Sequence, residues 1–545
     1  MRRTALLAPV ALSLLALAGC SADAGSSSEP GTSEHDFSSN QATLLDFEFD
    51  AELSTDSSFD DKQTIQDQLL YTIGHLNADN SVGRLDNLVL TNVKRTQAAG
   101  KLTISYHAKL PVAWGSKTRL PTTYELMLPR DVSFGGISAF TEAHKHSCVD
   151  FGAHEVDTGS MWYYFRPHRS GCDIKPTEVV TVVAQATKSA QNTTAKYPEY
   201  HKVWEDNRLE IVAIFGKYEA NAVSGDAGID GFNEYVATMK RELLAVTPTV
   251  TTTPENVASN PGPGVADVSF EATLADGKVV KITALLVDAI TQVPPGFDAR
   301  YESLTPTADI IAYNGHAGLG QNVRALARKG KWVPAKYQMF FMNGCDTFAY
   351  VDGSLAQTRA ALNPDDPTGT KYMEFVTNAM PSFFSSMPDA SSALMKGLLS
   401  YQTPKTYDQI FANIDRSEVV LVTGEEDNVF QPCMPIGTPC GGGGGGGGAA
   451  FTPFEESGTL ARGIEKSSSF DVPAGSYVVE LSGDGDADLY VKKGTAPTQR
   501  SYDCRPYANG SKEKCTVTFQ EAGKLNVMVR GYAATSSYTV KGSKQ

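Results

Sequence analysis

The sequence predicts an α/β protein with a central, mostly parallel sheet, preceded by a mixed α/β domain and followed by a small all-β sandwich. Continuous apolar runs that end in glycine, at 209–216, 309–315 and 337–344, are typical of strands buried on both faces of a parallel sheet. Short alternating strands separated by Gly, Asp and Pro fill 449–545. A chain of 545 residues is also too long for one core, so several domains are expected.

The first twenty residues are typical of an export signal. Arg2 and Arg3 precede an apolar run that is too short to span a bilayer and that ends in Leu17-Ala18-Gly19-Cys20. The segment resembles a bacterial lipoprotein signal, which implies lipid attachment at Cys20 and a place in the outer membrane or on the cell surface. An ordinary secretory signal with a chance cysteine is the alternative. The net charge of -15 leaves no broad basic surface, which argues against a nucleic-acid partner.

The composition divides the remaining chain into segments. Residues rich in Ser, Gly and acidic groups predict a flexible tether, and an unbroken glycine run predicts a linker. The predicted domains are a signal peptide at 1–20, a tether at 21–45, an N-terminal α/β domain at 46–200 that is either accessory or a pro-segment, a central domain at 205–432, a Cys/Gly-rich linker at 433–450 and a β-sandwich at 451–545.

Hydrophobic periodicity predicts individual elements within these domains. Helices are expected at 62–76, 231–244 and 321–329, strands at 88–93, 102–107, 124–128 and 161–165, and a hairpin at 267–274 with 279–287. In the C-terminal domain, strands are expected at 476–481, 488–492, 515–519 and 525–529.

Outside the cytoplasm the nearest cysteines in sequence tend to oxidise in pairs. The predicted disulfides are Cys148 with Cys172, Cys433 with Cys440, and Cys504 with Cys515. Cys345 is left over, which indicates either a buried apolar role or a nucleophile. A zinc site is the alternative for the first pair, with the candidate ligands His144, His146, Cys148, His154, His168 and Cys172.

Two glycine-ended strands are expected to bring His316 and Cys345 to one sheet edge. A strand, helical crossover and parallel strand needs roughly thirty residues, and parallel neighbours lie about 4.8 Å apart with their carboxyl ends together. The imidazole would take the thiol proton and pass it to a leaving amine. Gly315 and Gly344 would let the backbone approach the reacting carbonyl, and the N–H of Cys345 would stabilise the oxyanion.

The segments Asn314-Gly-His-Ala-Gly318 and Asn343-Gly-Cys-Asp346, each after an apolar strand, resemble peptidase clan CD, which includes caspases, legumains and gingipains. The resemblance covers roughly 209–430. It implies a caspase-like α/β sandwich, no cofactor, Cys345 as nucleophile, His316 as general base and a thioester intermediate. Clan members have glycine after the histidine, whereas this chain has Ala317, so an inactive copy is the alternative.

The C-terminal segments Asp486–Gly494 and Tyr502–Tyr507 resemble the bacterial pre-peptidase C-terminal domain. That resemblance implies a module that assists secretion or holds substrate. A calcium loop at Asp484, Asp486 and Asp488 is an alternative, but residue 495 is Thr where an EF-hand loop requires Glu, so a polar turn is favoured.

Together these patterns predict an exported, lipid-anchored cysteine endopeptidase that acts on proteins or peptides. Two alternatives stay open at the level of sequence. In one, the central domain is inactive and the C-terminal module binds protein or polysaccharide at the cell surface. In the other, the same residues transfer an acyl group to an amine instead of water.

Overall fold

The structure is a computed structural model. It describes residues 37–544 except 99, 154, 351–352, 416–417, 426–427, 429, 433–435, 437–452, 474, 500 and 520–522. The signal segment with Cys20, and the pair Cys433 and Cys440, lie outside the described residues. Within the described residues, no helix combines the length and apolar character that crossing a bilayer requires.

The N-terminal unit is a mixed α/β domain. Its elements, after a short strand β1 (Ser38–Ser39), are β2 (Thr43–Thr55), α1 (Asp61–Leu69), α2 (Tyr71–Asn77), β3 (Val82–Gly83), β4 (Val89–Ala98), β5 (Lys101–Trp114), β6 (Thr123–Pro129), α3 (Phe134–His144), α4 (Met161–Tyr164) and β7 (Val179–Lys188). The sheet follows the order β3-β5-β2-β7-β6, and β4 also pairs with β5. Residues alternate between buried and exposed along β2, as expected for a sheet with one covered face.

The central unit is a nine-stranded sheet in the described part of the chain, with helices around it. Its elements are α5 (Tyr200–Val203), β8 (Arg208–Gly216), α6 (Ala227–Val246), β9 (Val250–Thr253), β10 (Asp267–Thr273), β11 (Val279–Val287), α7 (Phe297–Leu304), β12 (Ile310–Asn314), α8 (Gln321–Lys329), β13 (Gln338–Asn343), α9 (Ser354–Leu362), β14 (Met373–Asn378), α10 (Met387–Leu399), α11 (Tyr407–Ile410) and β15 (Val420–Gly424).

The strand order of this sheet is β1-β15-β14-β13-β12-β8-β11-β10-β9. The five inner strands from β14 to β11 pair in parallel, and the strands at both sides pair antiparallel. Every residue of β12, β13 and β14 is buried, as the continuous apolar runs predict. The carboxyl ends of these parallel strands therefore lie together at one edge.

The two faces of this sheet pack into different cores. Ile214 and Phe340 point into a core shared with the N-terminal unit, which supplies Phe47 and Leu110 among others. The opposite face packs against α6 and α10. Because the N-terminal unit and the central sheet share one apolar core, they are packed as a single body around that face.

The C-terminal unit is all-β and has its own core. Its strands are β16 (Phe454–Ala461), β17 (Glu465–Val472), β18 (Gly475–Ser482), β19 (Ala487–Lys493), β20 (Glu513–Phe519), β21 (Gly523–Gly531) and β22 (Thr535–Lys544). They form one sheet in the order β16-β22-β18-β20 and a second in the order β17-β21-β19. The predicted mixed α/β class and the all-β C-terminal module are confirmed, whereas the caspase-like character of the central unit stays a prediction.

Three local predictions differ from the structure. Residues 161–164 form helix α4 instead of a strand, because the Asp157 carboxylate binds the N–H and hydroxyl of Ser160 and starts a turn there. The predicted helix at 62–76 is divided at Leu70 into α1 and α2. The predicted tether extends to residue 45, but strands β1 and β2 already occupy part of that span. The sequence analysis also does not predict strand β7.

Candidate functional site

The ends of β12 and β13 meet at the carboxyl edge of the central sheet. Asn314 pairs with Asn343 in the parallel register, and the N–H of Gly315 donates to the carbonyl of Asn343 at 3.2 Å. A Cβ placed on Gly344 would lie 2.6 Å from the carbonyl oxygen of Gly315, so only glycine fits there. His316 and Cys345 follow these glycines, as the strand pattern predicts.

A ladder of buried asparagines fixes the strand ends laterally. The Nδ2 of Asn343 donates to the Oδ1 of Asn314, and the Nδ2 of Asn378 donates to the Oδ1 of Asn343, both at 2.9 Å. Ser391 donates to Asn314 at 2.6 Å, and Ser382 donates to Asn343 at 3.1 Å. The sequence showed the Asn-Gly pairs, but nothing local marked Asn378 as the third member.

His316 is an exposed imidazole held in one orientation. Its Nε2 lies 3.1 Å from the backbone carbonyl oxygen of Tyr218, which accepts a hydrogen bond from the Nε2–H group. The ring packs against Tyr218 and Phe384 at centroid distances of 5.1 and 4.9 Å. In the neutral imidazole, Nε2 therefore carries the proton and Nδ1 is the acceptor.

Cys345 is a free, partly buried thiol that lies at this edge. Burial, reinforced by the negative charge of Asp346, raises the pKa of the thiol to about 11. The thiol donates to the carbonyl of Ser382 at 3.7 Å. Among the described residues, no hydrogen bond joins Cys345 to His316, so the two predicted catalytic residues share an edge without forming a bonded pair.

The predicted backbone donors divide into used and unused groups. The N–H of Gly315 already donates a hydrogen bond to the carbonyl of Asn343, which argues against its use as an oxyanion donor. In contrast, the N–H groups of Ala317 and Cys345 bind no acceptor among the residues that the structure describes. The carbonyl of His316 accepts bonds from the side chains of Tyr313 and Asn322, which hold this loop in place.

Asp346 is a site residue that sequence reasoning missed. Its side chain is fully buried, and burial raises its pKa to about 7, opposed by hydrogen bonding from Asn77 and Tyr163. The Nδ2 of Asn77, at the end of α2 in the N-terminal unit, donates to Asp346 Oδ1 at 3.0 Å. Two residues 269 positions apart are therefore joined directly beside Cys345.

The cysteines pair largely as predicted. Cys148 is bonded to Cys172, and Cys504 is bonded to Cys515. The first disulfide removes both thiolates from the alternative zinc site. In the candidate calcium loop, Asp488 forms an ion pair with Arg505 at 3.0 Å, and Asp486 accepts the N–H of Gly510 at 2.9 Å. Protein partners thus occupy these two carboxylates.

Comparison with known proteins gives matches over short stretches of the chain. Residues 465–531 match the bacterial pre-peptidase C-terminal domain. A zinc metalloprotease of Helicobacter pylori is 46% identical over 83 residues, 15% of this chain and 32% of the relative. A hemagglutinin/proteinase of Vibrio cholerae is 46% identical over 83 residues, 15% of this chain and 14% of the relative. An alkaline serine exoprotease A of Vibrio alginolyticus is 37% identical over 119 residues, 20% of this chain and 21% of the relative.

The chain thus spans a third or less of the length of these relatives. A solved structure, "Solution structure of vEP C-ter 100", is 41% identical with a TM-score of 0.15 and covers 16% of this chain and 88% of that chain.

These findings correct the functional prediction. The relatives are named as a zinc metalloprotease, a hemagglutinin/proteinase and a serine exoprotease, so the predicted cysteine endopeptidase with a thioester intermediate is wrong. The geometry gives a physical reason, because a thiol whose pKa is raised to about 11 is protonated at neutral pH and has no bond to His316.

A zinc centre, which one relative's name implies, does not fit the described residues either. Within them, no group of three or more His, Cys, Asp or Glu side chains is arranged to hold a metal ion. Residues 465–531, which match the bacterial pre-peptidase C-terminal domain, coincide with strands β17 to β21. The C-terminal domain that the sequence predicts is therefore confirmed at these residues.

Proposed function

We propose that this chain is an exported peptidase that acts on protein substrates at the carboxyl edge of its central sheet. The observation that carries the proposal is the presence, in one chain, of a protease-associated C-terminal module and an edge with an oriented imidazole beside unused backbone donors. The proteases among the relatives support a hydrolase that works on proteins outside the cell.

Two kinds of group that peptide hydrolysis requires lie at this edge. A tetrahedral intermediate needs N–H donors for its oxyanion, and the N–H groups of Ala317 and Cys345 bind no acceptor among the described residues. Hydrolysis also needs a group that takes a proton from the attacking water and gives it to the leaving amine as the C–N bond breaks. We assign this role of general base and acid to His316, acting through Nδ1, because its Nε2 is held by the Tyr218 carbonyl.

Exposed aromatic rings beside His316 supply a binding surface for substrate. Tyr218 and Phe383 are 51% and 56% exposed, and Phe384 packs edge-on against Tyr218 at 5.4 Å. Aromatic rings gain free energy from covering the apolar side chains of an extended peptide. Substrates with bulky apolar residues next to the cleaved bond are therefore expected to be preferred.

The finer parts of this function are also proposals. Lipid attachment at Cys20 would hold the enzyme at the outer surface of the cell envelope, which agrees with secreted relatives. We expect no cofactor at the edge, and we keep the caspase-like α/β sandwich as the interpretation of the central unit.

Cleavage of an unfolded protein tests the proposal. The full chain is incubated with reduced and alkylated casein, and new peptides are counted by mass spectrometry. We expect His316→Ala to lower the rate about 100-fold or more, because proton transfer is lost. The matched control is His107→Ala, a surface histidine of the N-terminal unit whose Nδ1 lies 3.0 Å from Asp50, and it is expected to stay within about twofold of wild type.

Separate incubations with 1,10-phenanthroline, phenylmethylsulfonyl fluoride and iodoacetamide identify the catalytic class. A chain that releases no peptides, both as wild type and after a substitution that exposes the edge, would refute the peptidase. A His316→Ala variant as active as wild type would refute the location of the site.

A further inference from the structure

We propose that the disulfide-closed lobe around helix α4, whose described residues are 148–153 and 155–172, is a built-in cap that covers the carboxyl edge at Cys345. This inference rests on the proposed function only for the meaning of the edge. The contacts that carry it come from the N-terminal unit and reach Asp346 and Tyr350, which follow Cys345 in the chain.

Helix α4 of the cap places aromatic side chains against the edge. Helix α4 carries Tyr163, whose phenol lies close enough to the Cys345 thiol and the Asp346 carboxyl group to lower the pKa of each. Burial, followed by the charges of Asp346 and Cys345, raises the pKa of Tyr163. The neighbouring Trp162 packs edge-on against Tyr350 at a centroid distance of 6.3 Å.

A second contact ties the cap to the edge through α2. A Cβ on Gly74 would lie 2.5 Å from the carbonyl oxygen of Trp162, so α2 and α4 touch backbone to backbone. The same helix α2 ends with Asn77, whose side chain donates to Asp346 at 3.0 Å in a buried position. Helix α2 therefore contacts both the cap and Asp346.

The disulfide closes the lobe at its base. Cys148 and Cys172 are bonded, and between them Val149 pairs with Phe165 as an isolated antiparallel bridge. Arg166 reinforces this base with an ion pair to Asp150 at 2.8 Å. Because the disulfide joins the two ends of the lobe, it limits the conformations in which the lobe can leave the edge.

Seated in this way, the cap restricts access to the edge. Tyr163 occupies space next to Cys345, where a peptide carbonyl must come to reach the N–H of that residue. Substrate binding and the seated cap are therefore mutually exclusive at Cys345. Displacement of the cap would expose the thiol, the unused donors and the aromatic rings beside His316 together.

The alkylation rate of Cys345 tests the cap without reference to peptidase activity. The full chain is treated with iodoacetamide, and modification of Cys345 is followed by peptide mass spectrometry. Two variants open the cap: Cys148→Ser with Cys172→Ser removes the closure, and Tyr163→Ala removes the covering ring while leaving the disulfide. The matched control, Cys504→Ser with Cys515→Ser, removes a disulfide of the C-terminal unit.

We expect the alkylation rate to rise about tenfold or more in both cap variants and to stay within about twofold of wild type in the control. Hydrogen exchange of β2 and β5 is measured alongside, and unchanged protection there excludes global unfolding. Should the double serine variant lose that protection, the alkylation rate of Tyr163→Ala alone decides whether the cap exists. Equal alkylation rates in wild type and in the folded cap variants would overturn the cap.

The two proposals fail in different ways. Faster alkylation of the cap variants without any cleavage of casein would keep the cap and refute the peptidase. Cleavage of casein by wild type, with alkylation rates that do not respond to the cap variants, would keep the peptidase and refute the cap.

Discussion

Asp346 shows how one buried carboxyl group makes this edge sensitive to pH. It follows Cys345 directly, adopts a left-handed backbone conformation with φ of 52°, and is fully buried, and Asn77 donates to one of its carboxylate oxygens. Burial penalises its charged form, which raises its pKa to about 7 from the ordinary value of 3.8. The folded protein therefore binds this proton more tightly than the unfolded chain does.

The substitution Asp346→Asn is expected to remove one component of the pH dependence of stability. The stabilisation by the protonated group is complete below about pH 4 and is lost as the pH rises through about 7. The amide does not titrate, and its oxygen still accepts the bond from Asn77. The free energy of unfolding of the variant relative to wild type should rise by about 2–3 kcal/mol between pH 5 and 8, measured by urea denaturation.

Other titrating groups, including the buried Asp309, are shared by both proteins and cancel in this comparison. A difference between variant and wild type that is the same at every pH would contradict the assigned pKa of Asp346.

At the scale of elements, the parallel strands bring the site together and the asparagine ladder holds it. Side chains at the ends of β12, β13 and β14 bond in sequence, so the three strand ends have one fixed register. Buried amides that lose a partner leave polar groups unsatisfied, which is costly in a low-dielectric interior. The position of the loops that carry His316 and Cys345 therefore depends on Asn343.

Replacement of Asn343 by alanine should lower the free energy of unfolding by about 2–4 kcal/mol, because bonds to Asn314, Asn378 and Ser382 are lost together. Urea denaturation measures the change. Asn87→Ala, at an exposed turn position, is the control and should change stability by less than about 0.5 kcal/mol. A loss as small as that control would mean that the ladder does not hold the edge.

The sequence was sufficient to predict the strand ends but not what surrounds them. Apolar runs closed by Gly315 and Gly344 indicated a parallel pair with a shared edge, and the structure has that pair. The bond between Asn77 and Asp346 has no local signature, because the two residues are far apart in the chain. Residues 161–164 include aromatic side chains that favour strands, but a turn at Ser160 starts a helix at these residues instead.

The chemistry of the edge was also only partly predictable. A cysteine and a histidine after neighbouring strands suggested an activated thiol, but activation depends on the environment and not on spacing. Burial and the charge of Asp346 keep the Cys345 thiol protonated, and His316 is bonded to Tyr218 instead. Spacing along the chain therefore predicted the location of these groups better than their chemical state.

At the scale of the whole molecule, three units divide the work. The N-terminal unit shares a core with one face of the central sheet. It also contributes the proposed cap over the carboxyl edge of that sheet. The central sheet supplies the oriented imidazole and the unused donors. The C-terminal unit has a core of its own, and its residues 465–531 match the bacterial pre-peptidase C-terminal domain. We infer that the first two units form the reaction chamber and that the third holds substrate near it.

The most direct test of this account is the mapping of peptides released from casein by a chain whose cap has been opened with Tyr163→Ala. The account predicts new peptide ends beside bulky apolar residues, and the loss of those peptides when Gly344→Ala is added, because a Cβ there would meet the carbonyl oxygen of Gly315 at 2.6 Å and separate the strand ends. No released peptides from the opened chain, or the same peptides after Gly344→Ala, would contradict a peptidase site at this edge.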